Sequence, residues 1–287
     1  MPELPEVEIV KRSLKNKVNY KKIKNIIVKN RNLRFKIQKD FENHLIGRSI
    51  INVSRFSKYI IITLDNQKYC LIHLGMTGTL HIINYKKTKK ITNLSFYHSK
   101  TLPKKHNHLK IKFSNFMIIY NDPRRFGFFK ILDNKKELKK YFNKFGPEAV
   151  SMNFNFRYIK NKFLNKKKNI KNCLLDQNFV SGIGNIYANE ILFLCKISHF
   201  KLANKITDKE INKLVKYAKL VLNLAIKFGG SSIKDFKNLK GKSGLFQKEF
   251  KVYDRENKNC CRKYCHGKII KTFISNRSSF FCKFCQK

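Results

Sequence analysis

The chain has 287 residues, 42% of them hydrophobic, so its length and apolar content suffice for two or three modest domains. Its 63 lysines and arginines against 18 acids give a net charge of +45. This charge favours nucleic acid over an anionic membrane as the partner. A codon bias toward Lys, Asn and Ile also raises the charge. Apolar runs such as Tyr59–Leu64 are too short to span a bilayer, and the first residues are acidic where a signal peptide is cationic, so we expect a cytoplasmic protein.

A short helix is predicted over residues 1–15, where Val7, Val10 and Leu14 have helical spacing. Short runs rich in β-branched and aromatic residues follow, and they predict a β-sandwich or barrel-like domain. These runs are Ile23–Val28, Ile50–Val53, Tyr59–Leu64, Tyr69–Leu74, Leu109–Phe113, Phe116–Tyr120 and Phe126–Leu132. The polar, lysine-rich segment Lys86–Lys105 predicts a surface loop.

Helical patterns replace the strand pattern after about residue 134. Asn185–Lys196 is one candidate helix, and Thr207–Phe228 is a second. In the second, Thr207 and Glu210 form a capping-box pair, and two glycines end the helix. We therefore predict an α+β chain whose domains cover residues 1–133, 134–239 and 240–287: a β-sandwich with a leading helix, a helical domain and a cysteine-bearing tail.

The tail contains five of the eight cysteines, in the motifs CCRKYC and FCKFC. Two close cysteine pairs separated by the length of a hairpin are typical of a structural zinc site, although iron–sulfur ligation or free thiols also fit. Cys282 and Cys285 form the second pair. In the first pair Cys265 is joined by Cys261 or Cys260, and we favour Cys261 because the turn is shorter. The remaining cysteines lie in apolar runs and are expected in the core: Cys70, Cys173 and Cys195.

The opening sequence MPELPEVEIV carries possible chemistry as well as a helix start. Removal of the initiator Met would leave Pro2 with a free secondary α-amine. Because the pKa of an α-amino group is about 8, a useful fraction is neutral and nucleophilic at neutral pH, and attack on a sugar C1′ would give a cationic iminium. Glu3 could then transfer protons, and Glu6, about one helical turn further on, could lie on the same face of the helix. Alternatively, prolines and acids simply begin a helix well.

Further motifs occur in one order along the chain: SKYIII, HLGMTG, KKHNH, DPRRFG, GIGNIYANE and GGSSIKDF. With the N-terminal octapeptide and the cysteine tail, the whole chain resembles the bacterial formamidopyrimidine-DNA glycosylases of base-excision repair. It resembles endonuclease VIII less, since that sibling family has a glycine where this chain has Leu4. The resemblance implies a helix–two-turn–helix domain, a zinc-finger hairpin with one structural Zn²⁺, damaged double-stranded DNA as partner, no redox cofactor and a monomer.

The resemblance also implies catalytic roles for four residues. Pro2 corresponds to the Schiff-base nucleophile and Glu3 to the general acid. Lys58, in the SKYIII motif, corresponds to a lysine that contacts phosphate and assists β-elimination, whereas by itself it is one lysine among many. Arg277, between the cysteine pairs, corresponds to an arginine that grips phosphates and is linked to δ-elimination. By itself Arg277 is equally a solvated turn residue.

The remaining implied roles are contacts with DNA. Met76, Arg124 and Phe126 correspond to side chains that fill the gap left by an extruded nucleotide, although from the residues alone Met76 and Phe126 would be core side chains. The other implied contacts are His106, Lys167 or its neighbour Lys168, Asn185 after a glycine-rich turn, and Glu6 beside the lesion. Ser231 and Ser232 would meet the extruded purine.

Together these features predict a bifunctional DNA glycosylase and abasic-site lyase that excises 8-oxoguanine opposite cytosine and formamidopyrimidines. The sibling alternative is an endonuclease VIII-like enzyme that acts on oxidised pyrimidines. The alternative from another class is a zinc-ribbon nucleic-acid-binding protein without catalysis.

Overall fold

The computed structural model describes residues 1–85, 102, 104–231 and 245–287. Most of the predicted loop Lys86–Lys105, and Ser232, lie outside these ranges. The chain forms two compact units, Met1–Asn143 with Phe228–Leu245, and Lys144–Lys227 with Phe246–Lys287. The division into three domains at residues 133 and 239 stays a prediction. Within the described ranges, no helix combines the length and the apolar character that a membrane crossing needs.

The first unit contains two four-stranded antiparallel sheets. One has the strand order β1-β6-β7-β5 and the other β2-β3-β4-β8. The strands are β1 (Asn25–Val28), β2 (Ile50–Phe56), β3 (Tyr59–Leu64), β4 (Tyr69–His73), β5 (Thr79–Asn84), β6 (Asn107–Lys112), β7 (Phe116–Asn121) and β8 (Phe128–Leu132). Buried side chains from both sheets share one core, which makes this the predicted β-sandwich.

Strand β5 is the one strand of the sandwich that the sequence did not predict. Its polar residues interrupt the apolar run, yet Thr79 and His81 are both fully buried. A 2.8 Å hydrogen bond joins Thr79 Oγ1 to His81 Nε2, so the two polar side chains satisfy each other in the interior. The predicted strand from Phe126 begins two residues later, at Phe128, because Phe126 belongs to the preceding turn.

Helix α1 (Leu4–Val18) leads the first unit, as predicted. Glu3 and Glu6 form a capping box at its start, and Pro5 occupies the first turn, where no donor is required. One apolar face of the helix is buried in the sandwich core: Val7, Val10, Leu14 and Val18. Two shorter helices complete the unit, α2 (Phe41–Leu45) and α3 (Lys135–Phe142).

The second unit is helical and ends in a two-stranded hairpin. Its helices are α4 (Phe156–Phe163), α5 (Ile170–Leu175), α6 (Asn185–Cys195) and α7 (Asp208–Lys227), and its strands are β9 (Ile269–Ile274) and β10 (Arg277–Cys282). The capping box before α7 is confirmed, since Thr207 N donates to Glu210 Oε2 at 2.8 Å and Glu210 N to Thr207 Oγ1 at 3.3 Å. Helices α4 and α5 were not predicted because lysines and asparagines obscure their short apolar faces.

Candidate active site and metal centre

A group of buried charged side chains surrounds the N-terminal end of α1. Glu3, Glu6 and Lys58 are only 2%, 4% and 5% exposed, and Pro2 is buried as well. The α-amino group, which in this structure belongs to Met1, interacts electrostatically with all three and with Arg124. Burial lowers the pKa of this amine below its ordinary value of 8.0; Glu3 and Glu6 oppose the shift, and Lys58 and Arg124 add to it. The first unit therefore places an amine with a lowered pKa among two carboxylates and an ammonium group.

The carboxylate of Glu6 is shared between two chain segments. Its Oε2 accepts a hydrogen bond from Glu3 N at 2.9 Å. Its Oε1 accepts hydrogen bonds from the backbone N and the Oγ of Ser231, at 2.8 and 3.0 Å. Glu6 thus fixes the backbone beside Pro2, and it holds the Ser231 groups that the sequence assigned to a purine.

Lys58 lies in a two-residue turn that joins β2 to β3. Ser57, the first residue of the turn, has a left-handed backbone with φ of 53° and is 1% exposed. Such a conformation is uncommon for a residue other than glycine and persists where the surroundings enforce it. The turn follows β2, the strand that packs against α1, and the charge of Lys58 acts on the N-terminal amine.

Three exposed side chains lie on two neighbouring turns of the first unit. Met76 and Phe126 are 42% and 40% exposed, and Arg124 is exposed beside them. The guanidinium carbon of Arg124 lies 4.6 Å from the centroid of the Phe126 ring. The alternative that Met76 and Phe126 are core residues is therefore wrong, and their exposure suits apolar side chains that insert between bases.

Asp122 holds these two turns together. Thr77 Oγ1 donates to its Oδ1 at 2.5 Å, while Tyr120 OH and Gly127 N each donate to its Oδ2 at 2.9 Å. Gly75 has φ of +64°, and a Cβ atom there would collide with the backbone of Phe126. The absence of a side chain at Gly75 is what lets the two turns approach so closely.

In the second unit, two predicted phosphate contacts lie beside one another. Asn185 begins α6, and its Nδ2 donates to Ser278 O at 2.9 Å. Ser278 follows Arg277, which is exposed at the start of β10. The turn before Arg277 has positive φ at both Ser275 and Asn276, 48° and 58°, which is the geometry of a tight hairpin turn. Asn185 and Arg277 are thus presented on adjoining segments.

A buried lysine, Lys171, reinforces this hairpin. It is fully buried on α5, and its Nζ donates to Ser278 O at 2.9 Å and to Ser279 Oγ at 2.6 Å. Asn172 Nδ2 donates to Ser275 Oγ at 2.9 Å on the far side of the turn. A hydrogen bond from a charged donor is stronger than one between neutral groups. Lys171 therefore fixes the backbone from which Arg277 projects.

The other predicted DNA contacts, His106 and Lys167, are exposed. His106 lies before β6 with φ of 65°, and its carbonyl oxygen accepts a hydrogen bond from Asp122 N at 3.0 Å. Lys167 precedes α5, and its neighbour Lys168 is equally exposed. The choice between these two lysines therefore stays open.

The tail gathers four cysteines, and one of them differs from the prediction. The sulfur atoms of Cys260, Cys265, Cys282 and Cys285 lie within 4.8 Å of one another. Cys261, which the sequence favoured, is exposed and outside the cluster, so that prediction is wrong. The amide of Cys260 donates to Gly267 O at 2.8 Å, which turns Cys260 inward. The neighbouring Cys261 lies at the surface.

The cluster fits a tetrahedral metal ion bound by four thiolates. Zn–S bonds of about 2.3 Å place the sulfurs of a tetrahedral site about 3.8 Å apart. The Cys260–Cys285 and Cys265–Cys282 sulfur pairs are 3.9 and 3.6 Å apart. A Cβ atom at Gly267 would come within 2.8 Å of Cys282 Sγ, so the chain passes against the cluster without room for a side chain.

Comparison with known proteins agrees with this arrangement. The profile of the formamidopyrimidine-DNA glycosylase N-terminal domain matches residues 1–129, and that of the formamidopyrimidine-DNA glycosylase H2TH domain matches residues 145–237. The formamidopyrimidine-DNA glycosylase of Rickettsia bellii (strain OSU 85-389) is 40% identical over 290 residues, with 100% of both chains covered. The chain belongs to the formamidopyrimidine-DNA glycosylase family.

Other members of the formamidopyrimidine-DNA glycosylase family are equally similar. The protein of Wolbachia sp. subsp. Drosophila simulans (strain wRi) is 39% identical over 287 residues, with 100% of both chains covered. A Lactococcus lactis FPG mutant solved with a Fapy-dG containing DNA matches with a TM-score of 0.89 and 32% sequence identity. MutM solved with carbocyclic 8-oxo-G containing DNA matches with a TM-score of 0.88 and 32% sequence identity. Both alignments cover 100% of both chains. The family and fold predicted from the motifs are confirmed.

Several residues of this site were not predicted, because nothing in their local sequence marks them. Lys171 is one lysine in a lysine-rich run, and its partners lie more than 100 residues further on. Asp122 stands within the DPRRFG motif, but its role depends on a threonine 45 residues away. A buried charge whose partners are distant in sequence becomes recognisable only when the fold is known.

Proposed function

We propose that this member of the formamidopyrimidine-DNA glycosylase family is a bifunctional glycosylase and abasic-site lyase. Its substrates are 8-oxoguanine opposite cytosine and formamidopyrimidines in double-stranded DNA. The observation that carries the proposal is the group of buried charged side chains, Glu3, Glu6 and Lys58, that surrounds the N-terminal amine at the start of α1. The solved relatives in complex with Fapy-dG and 8-oxo-G DNA support the choice of substrate.

The first chemical step replaces the base with the protein. After Met1 is removed, the neutral secondary amine of Pro2 attacks C1′ of the extruded nucleotide. The N–C1′ bond forms, the glycosidic bond breaks, and the base leaves with the bonding pair and acquires a proton. Loss of the amine proton and opening of the sugar ring, whose oxygen takes a proton from Glu3, give an iminium at C1′.

The second part of the reaction cleaves the strand. The iminium acidifies the proton on C2′, and its removal lets the 3′ phosphate leave as the new double bond forms. Elimination of the 5′ phosphate follows, and hydrolysis of the iminium frees Pro2. Lys58, a buried ammonium group beside the amine, neutralises developing phosphate charge during these steps. The product is a one-nucleotide gap with a phosphate at both ends.

The remaining residues serve the DNA rather than the reaction. Met76 and Phe126 fill the space of the extruded nucleotide, and Arg124 bonds the edge of the unpaired cytosine. Asn185 and Arg277 bind backbone phosphates, the former with help from the amides at the start of α6. His106 and Lys167 contribute further phosphate contacts.

The metal of the tail is Zn²⁺ with a structural role, held by Cys260, Cys265, Cys282 and Cys285. All four positions of a tetrahedral site are filled by protein, which is the pattern of a structural site and not of a catalytic one. The ion supplies a cross-link that holds the hairpin of Arg277. We propose that the enzyme works as a monomer in the bacterial cytoplasm, where its DNA is, and needs no redox cofactor.

Borohydride trapping on duplex DNA that contains 8-oxoguanine tests the proposal. The wild-type chain should become covalently joined to the DNA through Pro2, as peptide mass spectrometry would show. The control is the same protein with its α-amine acetylated, which should bind DNA but not be trapped. Wild-type protein that binds the duplex and is not trapped would refute the Schiff-base mechanism. Faster excision of thymine glycol than of 8-oxoguanine would instead place the chain with the endonuclease VIII type of specificity.

A further inference from the structure

Helix α1 contains an acid, Glu8, that the proposed chemistry does not use. Glu8 is 7% exposed, and three cations bind its carboxylate. Lys11 Nζ and Arg12 Nε each lie 2.8 Å from Oε1, while Arg55 Nε donates to Oε2 at 2.9 Å. Lys11 and Arg12 belong to the same helix as Glu8. Arg55 lies on β2, so its bond connects the helix to the sheet.

The same guanidinium also holds the turn that follows β2. Arg55 Nη1 donates to Ser57 O at 2.9 Å. A guanidinium is planar and rigid, so its two hydrogen bonds fix the position of the Ser57 carbonyl relative to the Glu8 carboxylate. That carbonyl belongs to the peptide bond between Ser57 and Lys58. The left-handed conformation of Ser57 is thereby stabilised from the side of α1.

The hydrogen bonds of Arg55 connect helix α1 with the turn that follows β2, and both elements carry groups of the proposed reaction. Helix α1 begins beside the nucleophile, and the turn carries the buried ammonium group of Lys58. We infer that Glu8 and Arg55 are positioning residues, whose buried ion pair sets the Lys58 backbone relative to the N-terminal amine. This inference rests on the proposed function, and it assigns to Glu8 a role that the sequence left open. Because a misplacement of about 1 Å at a reacting group costs about a hundredfold in rate, such a device has a measurable effect.

The matched variants are Glu8→Gln and Arg12→Ala. Glu8→Gln preserves the shape of the side chain but weakens its bond to Arg55. Arg12→Ala removes an ion pair from the same carboxylate without touching the turn. In single-turnover assays at saturating 8-oxoguanine DNA, Glu8→Gln should lower the excision and trapping rates about ten- to a hundredfold, with unchanged DNA affinity. Arg12→Ala should stay within about twofold of wild type. Equal rates for Glu8→Gln and Arg12→Ala would overturn the inference.

A double-mutant cycle separates positioning from general stability. If Glu8 acts through Lys58, then Glu8→Gln should cost nothing more in a chain that already carries Lys58→Ala. Additive losses would show that Glu8 acts by another route and would overturn the inference. Arg55→Lys keeps the positive charge but loses the planar guanidinium that makes both hydrogen bonds, so it should lower the excision rate as much as Glu8→Gln does. It replaces Glu8→Gln in these assays if that variant does not fold.

Reductive methylation followed by mass spectrometry gives a readout that does not require activity. Lys58 is nearly inaccessible, so it should react slowly in the wild type and in Arg12→Ala, but severalfold faster in Glu8→Gln. An unchanged Lys58 reactivity in Glu8→Gln would overturn the inference even for an inactive chain. A wild type that neither excises nor is trapped would refute the proposed function alone, and the methylation rates would still decide the role of Glu8.

Discussion

The two functional regions of this protein hold their charges in opposite ways. At the N-terminal end of α1 the groups that we propose to react are buried, and burial lowers the pKa of the N-terminal amine, here that of Met1. At the hairpin tip Arg277 is exposed, and the buried charge is Lys171 beneath it. Chemistry at a sugar carbon requires a desolvated nucleophile, whereas a phosphate is bound well by a solvated arginine on a fixed backbone. The same contrast determines what each substitution should change.

The largest effect is expected from Glu3→Gln. The amide keeps an acceptor for the start of α1 but cannot give up a proton to the sugar oxygen. We expect the excision rate to fall about 10²- to 10⁴-fold with unchanged affinity for 8-oxoguanine DNA. Single-turnover excision and fluorescence anisotropy measure the two quantities. A comparable loss of affinity would mean that the first region also binds DNA, and the contrast would break.

Loss of one cysteine should separate the true ligand from its neighbour. Cys260→Ala removes a thiolate from the cluster, whereas Cys261→Ala changes an exposed side chain. We expect Cys260→Ala to lose bound zinc and several kcal/mol of stability in the second unit, because a structural metal site contributes directly to folding. Cys261→Ala should keep one zinc ion per chain and a wild-type melting curve. Metal analysis and calorimetry measure both, and zinc loss in Cys261→Ala alone would reverse the assignment.

The opposite pattern to Glu3→Gln is expected from Lys171→Met. The apolar side chain fills similar space but removes the charged donor from the Ser278 carbonyl oxygen and from the Ser279 hydroxyl, so that Asn185 Nδ2 alone of these two donors still holds the carbonyl. Affinity for a duplex with an abasic-site analogue should fall about tenfold, or about 1.4 kcal/mol. Excision at saturating DNA should stay within about twofold. Lys209→Met removes one exposed lysine and is the matched control for net charge; an equal loss in Lys209→Met would mean that charge alone explains the effect.

The smallest expected effect is a shift in pH dependence. The neutral amine is the reactive form, so trapping should rise with pH as the N-terminal amine loses its proton. In this structure burial and the nearby cations lower the pKa of the Met1 amine, and we expect them to act in the same direction on Pro2. Arg124 is one cause of the lowering, so Arg124→Ala should raise the pKa and move the midpoint to higher pH. Trapping rates at saturating DNA across a pH series measure both midpoints. A midpoint that moves down in Arg124→Ala would contradict the electrostatic account.

The sequence predicted those features that short segments carry by themselves. The periodicity of α1 and of α7, the alternation of most sandwich strands and the spacing of the second cysteine pair are all local. The helix cap at Thr207 is local as well, since its partner Glu210 lies three residues away. The motifs identified the family because they place residues of particular chemistry in a particular order along the chain.

The features that were missed depend on contacts between distant segments. Cys261 was favoured over Cys260 because the sequence does not show that the Cys260 amide donates to Gly267 O. Strand β5 was missed because Thr79 and His81 are polar, so they interrupt the apolar run. The hydrogen bond between their side chains, which allows both to be buried, is known only from the structure. Nothing in the local sequence marks Glu8, because its partner Arg55 is 47 residues away.

The bonds of Asp122 have a consequence for how this enzyme could vary. Because one carboxylate and the bare Cα of Gly75 set the separation of the two turns, Met76 and Phe126 are spaced by backbone and not by their own side chains. The fold therefore sets the distance between the two side chains that we propose to insert into the duplex. Substitution of Met76 or Phe126 would change the side chain that is presented to a bound duplex. The position at which that side chain is presented would remain the same.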